Sequence, residues 1–314
     1  MTYAAPRLGI TFLPLSTQLP AQVQQTLLEQ AGIKHILCDN EISSQWPNHL
    51  TVMTIGQLLL FQFSASVTGP STAADIDIPL MLATHYSTDI PRLVMLSHHN
   101  ISAAVQTSNQ YFQLSDKDCW LNCLPLYHIN GLMILYRCLA STACVILHDR
   151  FEAEKVWQDL QQHPVSHLSL RPDMLAPLLD AAADQPLPAS VKFIIIAGTA
   201  DDPRLDPALA QRALEKGWPL YLTYGMTETC SHVAACQLEQ ATLVSPPAFE
   251  LYDGVEVQIN DKQCISLRSR QVMAGYANPP QASTPMPDES GWLLTQDTGR
   301  LDSEGRLIIS GCSK

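Results

Sequence analysis

The chain has 314 residues, about twice the ~150 of one ordinary domain, which makes two domains or one domain of several parts the starting expectation. Hydrophobic residues make up 46% of it, within the ~45–50% of soluble globular chains, so disorder is excluded as the dominant state. Only 15% of residues are charged, and 18 basic against 30 acidic residues give a formal charge of −12. That balance excludes the basic surface a duplex-tracking nucleic-acid protein or an anionic-membrane binder requires.

In chain order, the pattern begins with a strand at 9–15 (GITFLPL), a helix at 19–33 and a strand at 34–39 (KHILCD). Pro20 suits a first helical turn and Gly32 stops the helix. Residues 64–77, rich in Ser, Thr, Ala, Gly and Pro, read as a loop and a weak boundary. A strand at 78–85 and a helix at 97–114, with Ser97 as a candidate cap, come next. Strands are then predicted at 119–125, 144–149, 166–170, 191–198 and 219–225. Helices fall between them, from Gly131, from Ala153 to Gln162, at 171–183 and at 206–217. This alternation predicts a parallel sheet sandwiched by helices. After about Thr227 the texture changes to short strands at 254–259, 264–270, 291–297 and 305–311. Asn260–Asp261 and Ser303–Glu304–Gly305 close hairpins there, which predicts a small β subdomain.

Nine cysteines, odd in number and without tight pairs, argue against a disulfide framework. Cys119 and Cys123 lack a second pair at metal-ligand spacing, so reduced, buried thiols in a cytoplasmic protein are expected. The N-terminal MTYAAPRLGITFLPL has no basic n-region and no small-residue cleavage site. The most apolar run, 131–147, is shorter than the ~20 residues of a membrane span and carries Arg137 near its middle. It reads as a buried helix leading into a buried strand.

Ligands of a parallel sheet sit at the C-terminal ends of its strands, so the loops leaving strands are where chemistry is sought. Four stand out: LPLYHINGL, AGTADDP, TYGMTETCSH and TQDTGRL. In this order and spacing they resemble the AMP-forming acyl-CoA synthetase and adenylation-domain (adenylate-forming) superfamily, with YGMTET the most specific of the four. TETCSH and the compact β region look most like its o-succinylbenzoate–CoA ligase branch, a member of menaquinone biosynthesis. The resemblance covers nearly the whole chain. It implies α/β layers with a β subdomain, the large N-terminal domain of such enzymes. The expected division is 1–77 as a partial first α/β subdomain, 78–226 as a second with the nucleotide and acyl site, and 227–314 as the β-rich part. The implied reaction joins a carboxylate to the α-phosphate of ATP, giving an acyl-adenylate and pyrophosphate. A thiol, usually of coenzyme A, then displaces AMP. The implied partners are a small carboxylic acid, an adenine nucleotide with Mg²⁺, and coenzyme A or a carrier protein.

The resemblance also assigns roles. Thr227 matches a threonine whose hydroxyl touches phosphate, and Glu228 a carboxylate on the Mg²⁺ side, as a hard cation prefers. Tyr224, followed by Gly225, matches the aromatic residue against adenine. Gly198, Thr199 and Ala200 match a small-residue segment beside adenine, where a flat ring needs close approach. His128 matches the residue at the acyl-carboxylate end of the pocket, and Asp297 the aspartate that accepts the ribose hydroxyls. On residue type alone, each also reads as an ordinary strand-end or turn residue.

The chain departs from the family pattern at its phosphate loop, THYSTDIPRLVMLSHHN (84–100). Thr84, Ser87, Thr88 and Pro91 fit, while Tyr86, Asp89 and Leu93 stand where glycines belong and Arg92 where lysine belongs. The glycines let backbone N–H groups wrap a phosphate. Asp89 instead sets a carboxylate against it, and two like charges ~4 Å apart repel by about 4 kcal/mol at an effective dielectric near 20. Cys312 replaces an arginine that helps hold ribose and phosphate. The sequence stops at Lys314, the family's hinge position, before the small lid. Three readings follow: an active ligase, a degenerate module with impaired ATP use, or a fragment that works with a separate lid chain.

Overall fold

The computed structural model describes residues 10–39, 46, 49–60, 78–84, 91–197, 205–240, 246–277 and 286–312. The chain divides into two compact units, Met1–Ser97 with Tyr276–Thr284, and His98–Gly275 with Pro285–Lys314.

In the first unit, helix α1 (Ala21–Gln30) buries Leu27 and Leu28. Pro20 is its N-cap rather than a first-turn residue, and Gly32, at φ +63°, supplies the left-handed residue beyond its end. Strand β1 (His35–Cys38) pairs in parallel with β2 (Thr51–Thr54), which runs into α2 (Ile55–Leu60). Strands β3 (Leu80–Ala83) and β4 (Leu93–Leu96) form an antiparallel pair, with β14 (Gly275–Ala277) on the far side of β4. The strand expected at 9–15 contracts to one bridge, in which Phe12 donates to Pro79 O at 2.9 Å and accepts from Met81 N at 2.9 Å. Pro14 has no N–H to continue a ladder.

The second unit follows the predicted alternation closely. Its elements are α3 (His98–Tyr111), β5 (Cys119–Asn122), α4 (Ile129–Ala140), β6 (Cys144–Leu147), α5 (Ala153–Gln162), β7 (His167–Leu170), α6 (Pro172–Ala182), β8 (Phe193–Ala197), α7 (Pro207–Glu215) and β9 (Leu220–Met226). Then come β10 (Ser231–Gln237), β11 (Ala248–Leu251), β12 (Glu256–Ile259), β13 (Cys264–Arg268), β15 (Trp292–Leu301) and β16 (Leu307–Cys312). All the strands of this unit join one eleven-stranded sheet in the order β12-β13-β15-β16-β11-β10-β9-β8-β7-β5-β6. Only β6, β5, β7, β8 and β9 are parallel; from β10 onward the pairing is antiparallel. The β-rich stretch is therefore a continuation of the parallel sheet, joined to it through β10. That strand, SHVAACQ, shows no alternation because six of its seven residues are buried.

The core of this unit is built on fully buried Phe112, Trp120, Leu121, Leu168 and Leu178. Each such side chain contributes about 1.5–3 kcal/mol by leaving water. At the entry to β5, Asp118 is buried and accepts from Ser115 Oγ at 2.7 Å and Lys192 Nζ at 2.8 Å. Burial alone would raise its carboxyl, but hydrogen bonds from Lys192, Ser115 and Ser166 outweigh it and hold the group well below the carboxylate range. Cys119, Cys123, Cys138, Cys230 and Cys236 are buried free thiols. Among the described residues, no helix is long and apolar enough to cross a membrane.

Candidate functional site

The site residues of the second unit gather where β9 turns into β10. Thr227–Thr229 form a single 3-10 turn, after which Cys230 and Ser231 take positive φ of 51° and 91°. Thr229 pins this turn, accepting from Met226 N at 3.0 Å and donating to Ser231 O at 2.7 Å. The fully buried Gln271 braces it from outside, donating to Thr229 O at 3.2 Å and His232 O at 3.1 Å. Met273 N donates to Glu228 O at 2.8 Å. Gly225 lies opposite His232 in the hairpin, and a Cβ there would collide with the backbone of Ser231 and His232. The motif's spelling is thus partly a packing requirement.

Tyr224 and Asp297, 73 residues apart, are joined directly: Tyr224 Oη donates to Asp297 Oδ2 at 2.8 Å. The Tyr224 ring is buried and packs on Phe249 with 6.4 Å between centroids. Asp297 is not in a hairpin turn. It lies within β15, opposite Cys312 of β16, just before a register irregularity at Thr298/Gly299. A Cβ at Gly299 would collide with Ile308 O, so this bend also needs glycine. Glu228 is 6% exposed and Thr227 half-buried, which leaves the threonine the more open of the two.

The LPLYH loop reaches the same turn. Asn122, fully buried at the end of β5, donates to Gly131 O at 2.9 Å and accepts from Leu124 N at 3.0 Å, closing the loop on itself. His128 is the N-cap residue of α4 without a side-chain cap bond, and its ring lies 4.6 Å from that of Tyr127. Two residues on, Asn130 Oδ1 accepts from Ser231 Oγ at 2.8 Å and so fastens the loop to the 3-10 turn. A small cleft opens among Asn130, Ala197, Thr223, Gly225 and His232, at the C-terminal ends of β8 and β9. Gly198, Thr199 and Ala200, expected beside it, lie outside the described residues.

Sequence reasoning gave no role to several buried polar groups of this unit. Arg137, two turns along α4 from Asn130, is 2% exposed. Its guanidinium carbon sits 5.8 Å over the Trp120 ring, and its Nε and Nη2 have no hydrogen-bond partner among the described residues. Burial pushes its pKa down to about 10, so it stays cationic at neutral pH. Buried Tyr252 Oη lies 2.8 Å from Nδ1 of buried His232. The visible signal was one charge in an otherwise apolar helix.

In the first unit, the phosphate-loop candidates form the neck of the β3–β4 hairpin. Thr84 N donates to Arg92 O at 2.9 Å, and Arg92 N donates to Thr84 Oγ1 at 3.2 Å. Thr84 is buried, and the Arg92 guanidinium lies 5.5 Å over the Tyr276 ring. Leu93, at a family glycine position, is a fully buried residue that opens β4. Tyr86, Ser87, Thr88 and Asp89 lie outside the described residues.

A mixed sheet with polar side chains collected at the C-terminal ends of its parallel strands defines the class: an α/β protein whose candidate ligand site lies at its strand ends. The chain belongs to the AMP-binding enzyme family, whose model matches residues 1–277. It is 30% identical over 313 residues to the 2-succinylbenzoate–CoA ligase of Enterococcus faecalis (strain ATCC 700802 / V583), covering 96% of this chain and 63% of that protein. The fold matches Bacillus subtilis o-succinylbenzoate CoA synthetase in complex with its acyl-adenylate intermediate, with TM-score 0.86 and 26% identity over 99% of this chain and 82% of that one. It also matches the same enzyme in complex with ATP and magnesium ion, with TM-score 0.83 and 26% identity over 98% of this chain and 65% of that one. The chain spans about 64% of the length of curated relatives it matches.

Proposed function

We propose that this chain is the nucleotide- and acid-binding part of an AMP-forming acid–CoA ligase whose acid carries a second carboxylate, as 2-succinylbenzoate does. The observation that carries the adenylate reading is the Tyr224–Asp297 hydrogen bond, which unites two motifs 73 residues apart in the sequence. Tyr224 orients the Asp297 carboxylate, whose other oxygen accepts a ribose hydroxyl. The Thr227 hydroxyl donates to the α-phosphate, and Glu228 would hold Mg²⁺, which neutralises phosphate charge during the transfer. His128 stands at the carboxylate end, on the loop that Asn130 fastens to the turn. The acid is the part that meets Arg137. A guanidinium buried without hydrogen-bond partners on two nitrogens is costly, and a carboxylate of the ligand satisfies it bidentately. Coenzyme A is the expected thiol.

The phosphate loop supports a second reading, a module that holds adenylates but handles ATP poorly. Its observation is Leu93, a glycine position in the family that here belongs to the core of β4. Calorimetric titration with AMP, ATP–Mg²⁺ and non-hydrolysable acyl-sulfamoyl adenosines separates the two. AMP and the dicarboxylate analogue are expected to bind, with Arg137→Met removing the advantage of the dicarboxylate over a monocarboxylate. Absence of AMP binding would overturn the adenylate reading. An unchanged preference in Arg137→Met would overturn the assignment of the acid. ATP–Mg²⁺ binding more tightly than AMP would exclude the impaired-ATP reading.

A further inference from the structure

His232 is placed where a ligand's acyl part would meet it. Its partner in the hairpin register is Gly225, and both line the small cleft shared with Asn130, Ala197 and Thr223. The imidazole cannot turn freely. Phe112 and Tyr252 both meet it edge-on, at 5.6 Å and 5.5 Å between centroids and 86° between planes. Its Nδ1 is engaged by Tyr252 Oη at 2.8 Å.

Two tautomers satisfy that bond. Burial, reinforced by Arg137, holds the His232 pKa well below the usual histidine value, so the ring is neutral and carries one proton. Burial holds the Tyr252 phenol well above its usual value despite the opposing effect of Arg137, so it also keeps its proton. When that phenol O–H donates to Nδ1, the imidazole proton resides on Nε2 and is the one left for a ligand.

We propose that His232 is a specificity-determining residue for the acid: Tyr252 fixes it as the Nε2–H tautomer, and that N–H donates to an oxygen of the acyl chain lying in the cleft. The acid favoured is one with a ketone or carboxylate oxygen at this point, over a counterpart with a methylene there. A site built to donate a hydrogen bond rejects the analogue that lacks the acceptor, because the buried donor is then left unpaired. This rests on the reading that the cleft takes the acyl portion of an acyl-adenylate.

The test uses the chain as given, with AMP, an acyl-sulfamoyl adenosine bearing a chain ketone, and its methylene counterpart as probes. The wild type should prefer the ketone probe by tenfold or more. His232→Leu should abolish that preference while leaving AMP affinity within about twofold, and His232→Gln, which keeps a donor near the Nε2 position, should restore most of it. Long-range ¹⁵N–¹H correlation spectra should show His232 protonated at Nε2 in the wild type and a tautomer mixture in Tyr252→Phe. An Nδ1-protonated wild-type ring, or a ketone preference that survives His232→Leu, overturns the proposal. Failure of AMP to bind the wild type would instead strike the adenylate reading, whereas AMP binding with no gain from either acyl probe would count against the acyl cleft alone.

Discussion

The β9–β10 turn and the β3–β4 connection both read in the sequence as phosphate-handling motifs, yet they stand on different physical footings. In the first, residues in and beside the motif hold the hairpin together: Gly225 has no room for a Cβ, and Thr229 and Gln271 bond the turn's backbone. In the second, the hairpin is closed at its neck by Thr84 and Arg92, and Leu93 behind them serves the core. The β3–β4 ladder itself runs from Leu80 opposite Leu96 to Ala83 opposite Leu93. A motif that doubles as a fold determinant resists change, whereas a loop beyond a closed neck can lose its glycines without loss of the fold.

That comparison can be broken most sharply at the loop. If the loop meets the phosphates as the family motif implies, Asp89→Gly removes a like charge there and restores a glycine. It should tighten ATP–Mg²⁺ binding by up to about a thousandfold, the equivalent of ~4 kcal/mol, with AMP nearly unchanged and the thermal midpoint unmoved. Equal tightening of AMP would show that the charge acts through something other than the β- and γ-phosphates. At the hairpin the expectation is reversed. Gly225→Ala should destabilise the fold by about 3 kcal/mol, read as a lower urea midpoint at constant slope, because the collision is with backbone. A stable Gly225→Ala protein would mean that the hairpin opens more easily than its register implies. Asp297→Asn sharpens the same contrast with a change of function at little cost to folding. It should weaken AMP by roughly 10- to 30-fold, or about 2 kcal/mol, through loss of charge-assisted bonds to the ribose.

The smallest effect is a control remote from both motifs. Asp118→Asn should cost about 1–2 kcal/mol at pH 7, since the amide meets Lys192 with the wrong polarity. Because the folded carboxyl titrates below its unfolded value, the wild type holds this contribution above pH ~3.9 and loses it as pH falls through the folded pKa. Denaturation curves of the two proteins should therefore converge in acid. A difference that stays constant from pH 7 to pH 2 would assign the effect to packing rather than to charge.

Much of this was legible in the sequence, for identifiable reasons. Strands β5, β7 and β8 are short apolar runs between amphipathic helices, the pattern a parallel sheet buried on both faces imposes. Strands β10 and β4 were not legible as strands. SHVAACQ is buried throughout and made mostly of small residues, and LVML sits directly behind what reads as a phosphate loop. In the sequence Asp297 reads as the end of a strand, in the loop TQDTGRL; it lies inside a longer strand, Trp292–Leu301, where Gly299 permits a register shift. The His232–Tyr252 pair could not be read at all, since nothing in the chain between them signals that their rings meet. Arg137 was visible as an anomaly in an apolar helix, but its lack of a carboxylate partner among the described residues became apparent only from the packing around it.

The link from Tyr224 to Asp297 has one more consequence. It ties β9 directly to β15, two strands that the sheet also joins through β10, β11 and β16. A single bond of about 1 kcal/mol secures that direct tie weakly. An adenylate that engages both residues at once acts as a removable cross-link between the β9 hairpin and β15. By mass action it would add about 2.7 kcal/mol at a hundred times its dissociation constant. Nucleotide bound in this way would be a structural component of the sheet, and the protein's resistance to heat or proteolysis would gauge how much of it is present.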